Sequence, residues 1–310
     1  MSWMISYGRM RREASSRRHR RRCWAAATLA VAFLVTCTDE APTGGPSREG
    51  PSQEARPFAF AAIGDFGFRN ENEDRVARAI RGWALEHDPD ALVTAGDNIY
   101  PNGTPKYFDD AWYQPYGWVE EQDLHVVASL GNHDVLLDNG EAVMDLFNMP
   151  ARWFKTNLGH ADLFVLDSMN ADDPEQKRWL ENALRESRTA WQIVIFHHPA
   201  YSCSSHGSSP QVLENFVPPM ENRGVDLVIN GHDHNYQRFA TVRGVTYVVT
   251  GGGGANLYDI SSCETQPAPA LKVSNDKTHH FLAVRGDEHH IVVEALSDEG
   301  KILDRFKLSQ

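Results

Sequence analysis

Residues 91–100 read ALVTAGDNIY. A run that is apolar but for Thr94 stops at glycine, aspartate and asparagine, and a tyrosine follows three residues after the aspartate. An unbroken run of this kind, bounded by glycine, reads as a strand buried on both faces. Pro101, Asn102 and Gly103 come next and are turn formers, so the acidic cluster sits where a strand runs out into a loop. The pattern recurs: FAFAAI (58–63) leads to GDFG, LHVVASL (124–130) to GNHD, WQIVIF (191–196) to HHP and VDLVIN (225–230) to GHDH. Five strands thus end in five clusters of Asp, Asn and His, and in open α/β sheets the carboxyl ends of strands are where sites are built.

Between the strands lie helical repeats. ENEDRVARAIRGWALEHD (71–88) puts Val76, Ile80, Trp83 and Ala84 at helical spacing, and PEQKRWLENALRES (174–187) puts Trp179, Leu180 and Leu184 on one face. ADLFVLDS (161–168) is a further strand, and QVLENFVPPM (211–220) is helix-like. The C-terminal part turns to hairpins, in FATVRGVTYVVTG (239–251), HFLAVRGDEHHIVVEAL (280–296) and KILDRFKL (301–308). The class is α/β, with no internal repeat and with 41% hydrophobic residues, enough for an ordinary globular core.

Residues 1–37 read as an address. Arg17, Arg18, Arg20, Arg21 and Arg22 form a basic region before WAAATLAVAFLV (24–35), a run too short to span a bilayer comfortably, so an export signal is expected. LVTC, ending at Cys37, is similar to a bacterial lipoprotein cleavage box, with Thr36 where a smaller residue is usual; lipidation of Cys37, cleavage nearby and an uncleaved anchor all stay open. The protein is expected to be exported, as a periplasmic, extracellular or membrane-anchored lipoprotein. TDEAPTGGPSREGPSQEARP (38–57) has almost no apolar residue and reads as a disordered tether, which leaves 58–310 as a single catalytic domain. The formal net charge of −12 understates the acidity of that domain, because the leader holds a block of arginines, and this argues against sequence-independent nucleic-acid binding. Cys203 and Cys263 are the two cysteines outside the leader, and in an exported chain they suggest a disulfide.

The clusters supply seven donors: Asp65, Asp97, Tyr100, Asn132, His197, His232 and His234. Mixed imidazole and oxygen donors suit Fe, Zn or Mn better than Ca or Mg. Seven are too many for one ion with an open position, and enough for two if a carboxylate bridges them. DFG at 65–67 also occurs in protein kinases, but no glycine-rich loop or lysine-bearing strand precedes it here.

GDFG, GDNIY, GNHD, VIFH and GHDH resemble, in order, the five motif blocks of the calcineurin-like metallophosphoesterases, and among them the purple acid phosphatases, whose pattern is DxG, GDxxY, GNH(D/E), VxxH, GHxH. The resemblance covers residues 58–310 and is strongest to the small tartrate-resistant type. It implies a four-layer αββα sandwich of two mixed β-sheets flanked by helices. It implies one ferric ion on Asp65, Asp97, Tyr100 and His234, and a divalent Fe, Zn or Mn on Asn132, His197 and His232, with Asp97 bridging. It also implies that such a pair clamps a phosphate ester and acidifies a water to the attacking hydroxide. His133, beside Asn132, and His206, nine residues after His197, match family positions that contact substrate and assist departure of the alcohol. The expected function is hydrolysis of small phosphate monoesters, an acid phosphatase activity. The alternatives are a phosphodiesterase on the same site, acting on cyclic nucleotides or nucleic-acid ends, and a non-catalytic surface lipoprotein, which the full donor set disfavours.

Other residues stay open. Asp134 reads either as a partner orienting His133 or as an exposed acid, and His198 as a neighbour that shapes the pocket. The glycines 251–254 allow close backbone approach or a simple turn, and Arg285, Gly286 and Asp287 read as a hairpin turn. No role is assigned to His279, His280, His289 or His290, and nothing in the sequence sets the oligomeric state.

Overall fold

The five strand readings hold, and what they build follows from which side chains each strand turns to which side. The computed structural model describes residues 56–260, 263 and 268–310. The leader and residues 38–55 of the tether lie outside the described residues.

Among the described residues thirteen strands form two sheets. They are β1 (Phe58–Ile63), β2 (Ala91–Thr94), β3 (His125–Ala128), β4 (Phe154–Leu158), β5 (Ala161–Val165), β6 (Trp191–Ile195), β7 (Leu227–Asn230), β8 (Tyr236–Phe239), β9 (Thr246–Thr250), β10 (Leu271–Asn275), β11 (His280–Gly286), β12 (His290–Ser297) and β13 (Ile302–Ser309). One sheet has the order β13-β12-β11-β1-β2-β3, the other β10-β8-β9-β7-β6-β5-β4. Both are mixed: β1, β2 and β3 are parallel, as are β5, β6, β7 and β9, while the hairpin strands add antiparallel edges.

Alternation along a strand makes the layers, because successive side chains point to opposite faces. Phe60 and Ala62 of β1 join Val93 and Leu282 in a core that also takes Leu163, Ile193 and Ile229 from the other sheet, so the two sheets pack face to face. Ala61 and Ile63 turn the other way, onto Val76, Ile80 and Trp83 of the helix Glu71–His87. On the far side Phe164, Val194 and Val228 pack on Leu180 and Leu184 of the helix Pro174–Glu186 and on Met220. The result is helix, sheet, sheet, helix, the expected αββα sandwich.

Capping chemistry starts both long helices where the sequence suggests. The Asn70 side chain accepts from the N–H groups of Asn72 and Glu73, and the Asp173 side chain accepts from those of Glu175 and Gln176, with Pro174 at the first helical position. The region 211–220 is broken: one short helix, Pro210–Asn215, gives way at Phe216 to another, Val217–Arg223. Arg285 and Gly286 are the last residues of β11, and the turn begins only at Asp287, whose N–H donates to the His290 carbonyl. Edge strands β4 and β10 were not legible: FKTNL and LKVSN are short and largely polar and bury little. Arg56, read as tether, is tied in, its carbonyl accepting from His160 N–H (3.0 Å) and its guanidinium 2.6 Å from Asp90. Cys203 and Cys263 are bonded, as their count outside the leader suggested.

Candidate metal centre

The carboxyl ends of β1, β2, β3, β6 and β7 come together at one end of the two packed sheets, and the loops that leave those ends are laced to one another. Asp65 N–H donates to the Gly96 carbonyl (3.0 Å), Gly64 N–H to the Thr250 carbonyl (3.2 Å) and Gly231 N–H to the His197 carbonyl (3.1 Å). Side chains cross between sheets as well: His197 Nδ1 lies 2.9 Å from the Ala95 carbonyl, and His232 N–H donates to Asp65 Oδ2 (2.8 Å). The glycine that opens four of the five blocks has a steric reason. A Cβ on Gly131 would lie 2.1 Å from the Asp97 nitrogen, and Gly96, at φ +86°, would drive one to 2.7 Å from His197 Nδ1.

All seven sequence-derived donors come together. Tyr100 Oη is 3.0 Å from Asp97 Oδ2, 3.4 Å from Asp65 Oδ1 and 3.1 Å from His234 Nε2. On the other side His197 Nε2 is 3.0 Å from Asn132 Oδ1, 3.2 Å from His232 Nδ1 and 3.4 Å from Asp97 Oδ2. One atom, Asp97 Oδ2, therefore stands between a group of Asp65, Tyr100 and His234 and a group of Asn132, His197 and His232. Asp65, Asp97 and His232 all have positive φ (58°, 52° and 72°), backbone that costs roughly 1–3 kcal/mol at a non-glycine residue and collects at functional sites. Asp65, Asp97 and His197 alone bring their donor atoms within 4.8 Å of one another.

The chemistry of this donor set fits metal ions. Asp65, Asp97 and His197 are fully or almost fully buried, and among the described residues no lysine or arginine pairs with either carboxylate. Burial pushes the Asp65 carboxyl up. Burial would do the same to Asp97, but the His197 charge and the hydrogen bonds from His197 and His133 outweigh it and hold Asp97 below the ordinary carboxylate range. Burial disfavours the His197 imidazolium, yet Asp97 and Asp65 raise it to about 10, so that a proton takes the place of a cation. Burial and the two carboxylates hold the Tyr100 phenol well above its usual range, so it becomes phenolate only beside a strong positive charge. The backbone sets the tautomers. His197 Nδ1 and His234 Nδ1 each donate to a carbonyl, those of Ala95 and Asn256 (2.8 Å for the latter), which turns both Nε2 lone pairs inward.

His133 and His206 stand beside this cluster. His133 N–H donates to Asp97 Oδ1 (2.8 Å), its Nδ1 lies 2.7 Å from the Pro101 carbonyl, and its ring is 4.4 Å from that of Tyr100. The exposed His206 ring is 4.3 Å from that of His232, and its N–H donates to Asp233 Oδ1 (3.2 Å).

The profile of the calcineurin-like phosphoesterases matches residues 58–236, which take in all five strand-end clusters. The chain belongs to the calcineurin-like phosphoesterase family. Among its relatives, purple acid phosphatase 4 of Arabidopsis thaliana is 29% identical over 236 residues, 65% of this chain and 69% of that protein. Tartrate-resistant acid phosphatase type 5 of Homo sapiens is 28% identical over 296 residues, 80% of this chain and 90% of that protein. The purple acid phosphatase PPD1 of yellow lupin shares the fold at a TM-score of 0.69 and 18% identity, over 83% of this chain and 54% of that one. GAP50, the anchor in the inner membrane complex of Plasmodium, shares it at 0.71 and 16%, over 82% and 89%.

In this calcineurin-like phosphoesterase, sequence reasoning misplaced one residue and passed over three. Asp134 is neither exposed nor a partner of the His133 ring. It is buried and accepts from Asn98 N–H (2.9 Å), Asn98 Nδ2 (2.7 Å), Ile99 N–H (3.1 Å) and Gly131 N–H (2.8 Å), so it clamps the loop after β2 to the loop after β3. Tyr258 stacks on the His234 ring (4.1 Å, 16°). Asp233 takes Ser202 Oγ besides His206 N–H, and Ser168 holds His198. Of these only Asp134 and Asp233 stand inside a motif block, which was the one signal available.

Proposed function

We propose that the chain is a dinuclear-metal phosphomonoesterase of the acid phosphatase type, with Fe(III) on Asp65, Asp97, Tyr100 and His234 and a divalent Fe, Zn or Mn on Asp97, Asn132, His197 and His232. The observation that carries this reading is the position of Asp97 Oδ2 between the two donor groups, with a phenol in one of them. Phenolate is a hard anionic donor that favours ferric iron, and the neutral Asn132 and imidazoles of the other group suit a divalent ion. When bound, the two ions supply Lewis acidity toward the phosphate oxygens and toward a water.

The chain's own residues do the rest. Asp65 and Asp97, pinned by backbone N–H groups of His232 and His133, keep their oxygens in place while negative charge shifts among the phosphoryl and leaving oxygens. His133, with Nδ1 on the Pro101 carbonyl, presents Nε2 to substrate, and His206 stands over His232 where an imidazolium can hand a proton to the departing alcohol. The curated relatives named acid phosphatases support the monoester over the diester reading. The arginine-rich leader and the polar 38–57 stretch support export.

The deciding test is turnover of p-nitrophenyl phosphate against bis-p-nitrophenyl phosphate by protein loaded with iron and zinc. A monoester preference that vanishes in Asp97→Ala is expected, and a better diester rate replaces the reading with a phosphodiesterase. An unchanged visible spectrum in iron-loaded Tyr100→Phe would remove Tyr100 from the ligand set.

A further inference from the structure

His197 is followed directly by a second histidine that neither donor group uses. The His198 ring lies 4.4 Å from that of His232 and 5.2 Å from that of His197, measured between centroids. His206 is 4.3 Å from the same His232 ring, so two histidines outside the donor set flank one inside it.

Ser168 fixes how His198 presents itself. The His198 backbone N–H donates to Ser168 Oγ (2.9 Å), and the same Oγ lies 3.0 Å from His198 Nδ1. A hydroxyl has one hydrogen and two lone pairs, and with one lone pair taken by the backbone N–H, Ser168 can give that hydrogen to Nδ1. Nδ1 is then the acceptor and the ring proton sits on Nε2. Among the described residues no protein group takes up Nε2, and it is not among the sealed-off polar atoms, so it opens to solvent beside His232.

The support is rigid. Asp167, fully buried, accepts from Met169 N–H (3.0 Å), Asn170 Nδ2 (2.8 Å) and Arg152 Nε (2.7 Å), while its own N–H donates to Gln176 (2.7 Å). The turn that carries Ser168 therefore cannot drift without breaking several buried bonds, which is the support a binding side chain needs.

We propose that His198 is a substrate-binding residue, an imidazole held by Ser168 whose Nε2–H donates to a non-bridging phosphoryl oxygen. This rests on the phosphoesterase reading above. It makes the ligand a tetrahedral oxyanion and gives the pocket a donor that keeps its hydrogen, beside a His206 that gives its hydrogen away.

Orthophosphate is the probe, titrated calorimetrically into the metal-loaded protein with metal content measured in every variant. His198→Ala is expected to weaken phosphate binding about 10- to 100-fold, the size of one hydrogen bond to a charged group. His198→Gln, whose amide can set an N–H near the Nε2 position, is expected to recover part of that loss, and Ser168→Ala to lose a few-fold. In turnover the His198→Ala effect is expected mainly in KM, because the bond is made before and during reaction. Nitrogen shifts of the metal-free protein are expected to show Nδ1 unprotonated, and to lose that preference in Ser168→Ala. Phosphate affinity within twofold of the parent in a His198→Ala protein that keeps its metals overturns the inference, and so does an Nε2 that carries no hydrogen. A parent that loads metal yet neither binds phosphate nor hydrolyses an ester refutes the underlying function instead, and this inference with it.

Discussion

Replacing Asp134 by alanine tests whether the metal centre rests on a buried clamp rather than on its ligands alone. Asp134 is fully buried and satisfies four donors, the N–H groups of Asn98, Ile99 and Gly131 and the Asn98 amide, at 2.7–3.2 Å. Each buried donor left without a partner costs about 1–3 kcal/mol, so four cost roughly 4–12 kcal/mol before relaxation. Removing a buried carboxylate relieves its own desolvation, which burial and the Asp97 charge show by raising Asp134 to about 7, and water can refill part of the space. The net expectation is a loss of about 3–5 kcal/mol, a large share of the 5–15 kcal/mol that typically holds a domain. Urea unfolding of metal-free protein at pH 8, where the carboxylate is ionised, reads this directly. Because Asn98 and Gly131 adjoin Asp97 and Asn132, zinc affinity should fall in the same variant. A stability loss under 1 kcal/mol with zinc affinity intact would refute the reasoning.

Three further outcomes are expected. Gly131→Ala puts a methyl 2.1–2.2 Å from the Asp97 nitrogen and Oδ1, so it should abolish metal binding and turnover while far-ultraviolet dichroism stays near the parent's; retained metal content would count against the cited geometry. Cys203→Ser/Cys263→Ser opens a link between residues 60 apart in sequence, and chain entropy puts the loss at about 4 kcal/mol; a denaturation midpoint unchanged by reduction would show that the link is energetically idle. His280 is fully buried, and burial, helped by the His279 charge, pushes its imidazole down to about 4. The unfolded chain takes up that proton near pH 6.5 and the folded one only near 4, so stability is full above 6.5 and is lost as pH falls, by about 3 kcal/mol at pH 4. His280→Gln should flatten that slope, and equal slopes in the two proteins would exclude His280 as its source.

The reach of the sequence followed the range of the interactions involved. Apolar runs that end in GD, GN and GH, and the helical spacing of Val76, Ile80 and Trp83 and of Leu180 and Leu184, are local signals, and they yielded the parallel strands, the long helices and all seven donors. Weakly patterned pieces were missed: β4 and β10 bury little, and the short helical turns from Pro105 to Glu121 carry aromatics without one helical period. GNHD was read for its ligand and its acid, while its fourth letter spans 36 residues to Asn98, which nothing within the block could show.

What the sequence by itself determined is the inventory and the order: which donor follows which strand, with Tyr100 three residues past Asp97. What only the tertiary structure decided is which oxygen stands between the two groups, which way the His197 and His234 ring nitrogens face, and that Ser168 holds the His198 ring from thirty residues away. The reason is physical. Strand, cap and turn preferences are settled within a few neighbouring residues, whereas the direction of a lone pair depends on the group packed against it, and that group arrives from another strand only when the two sheets close.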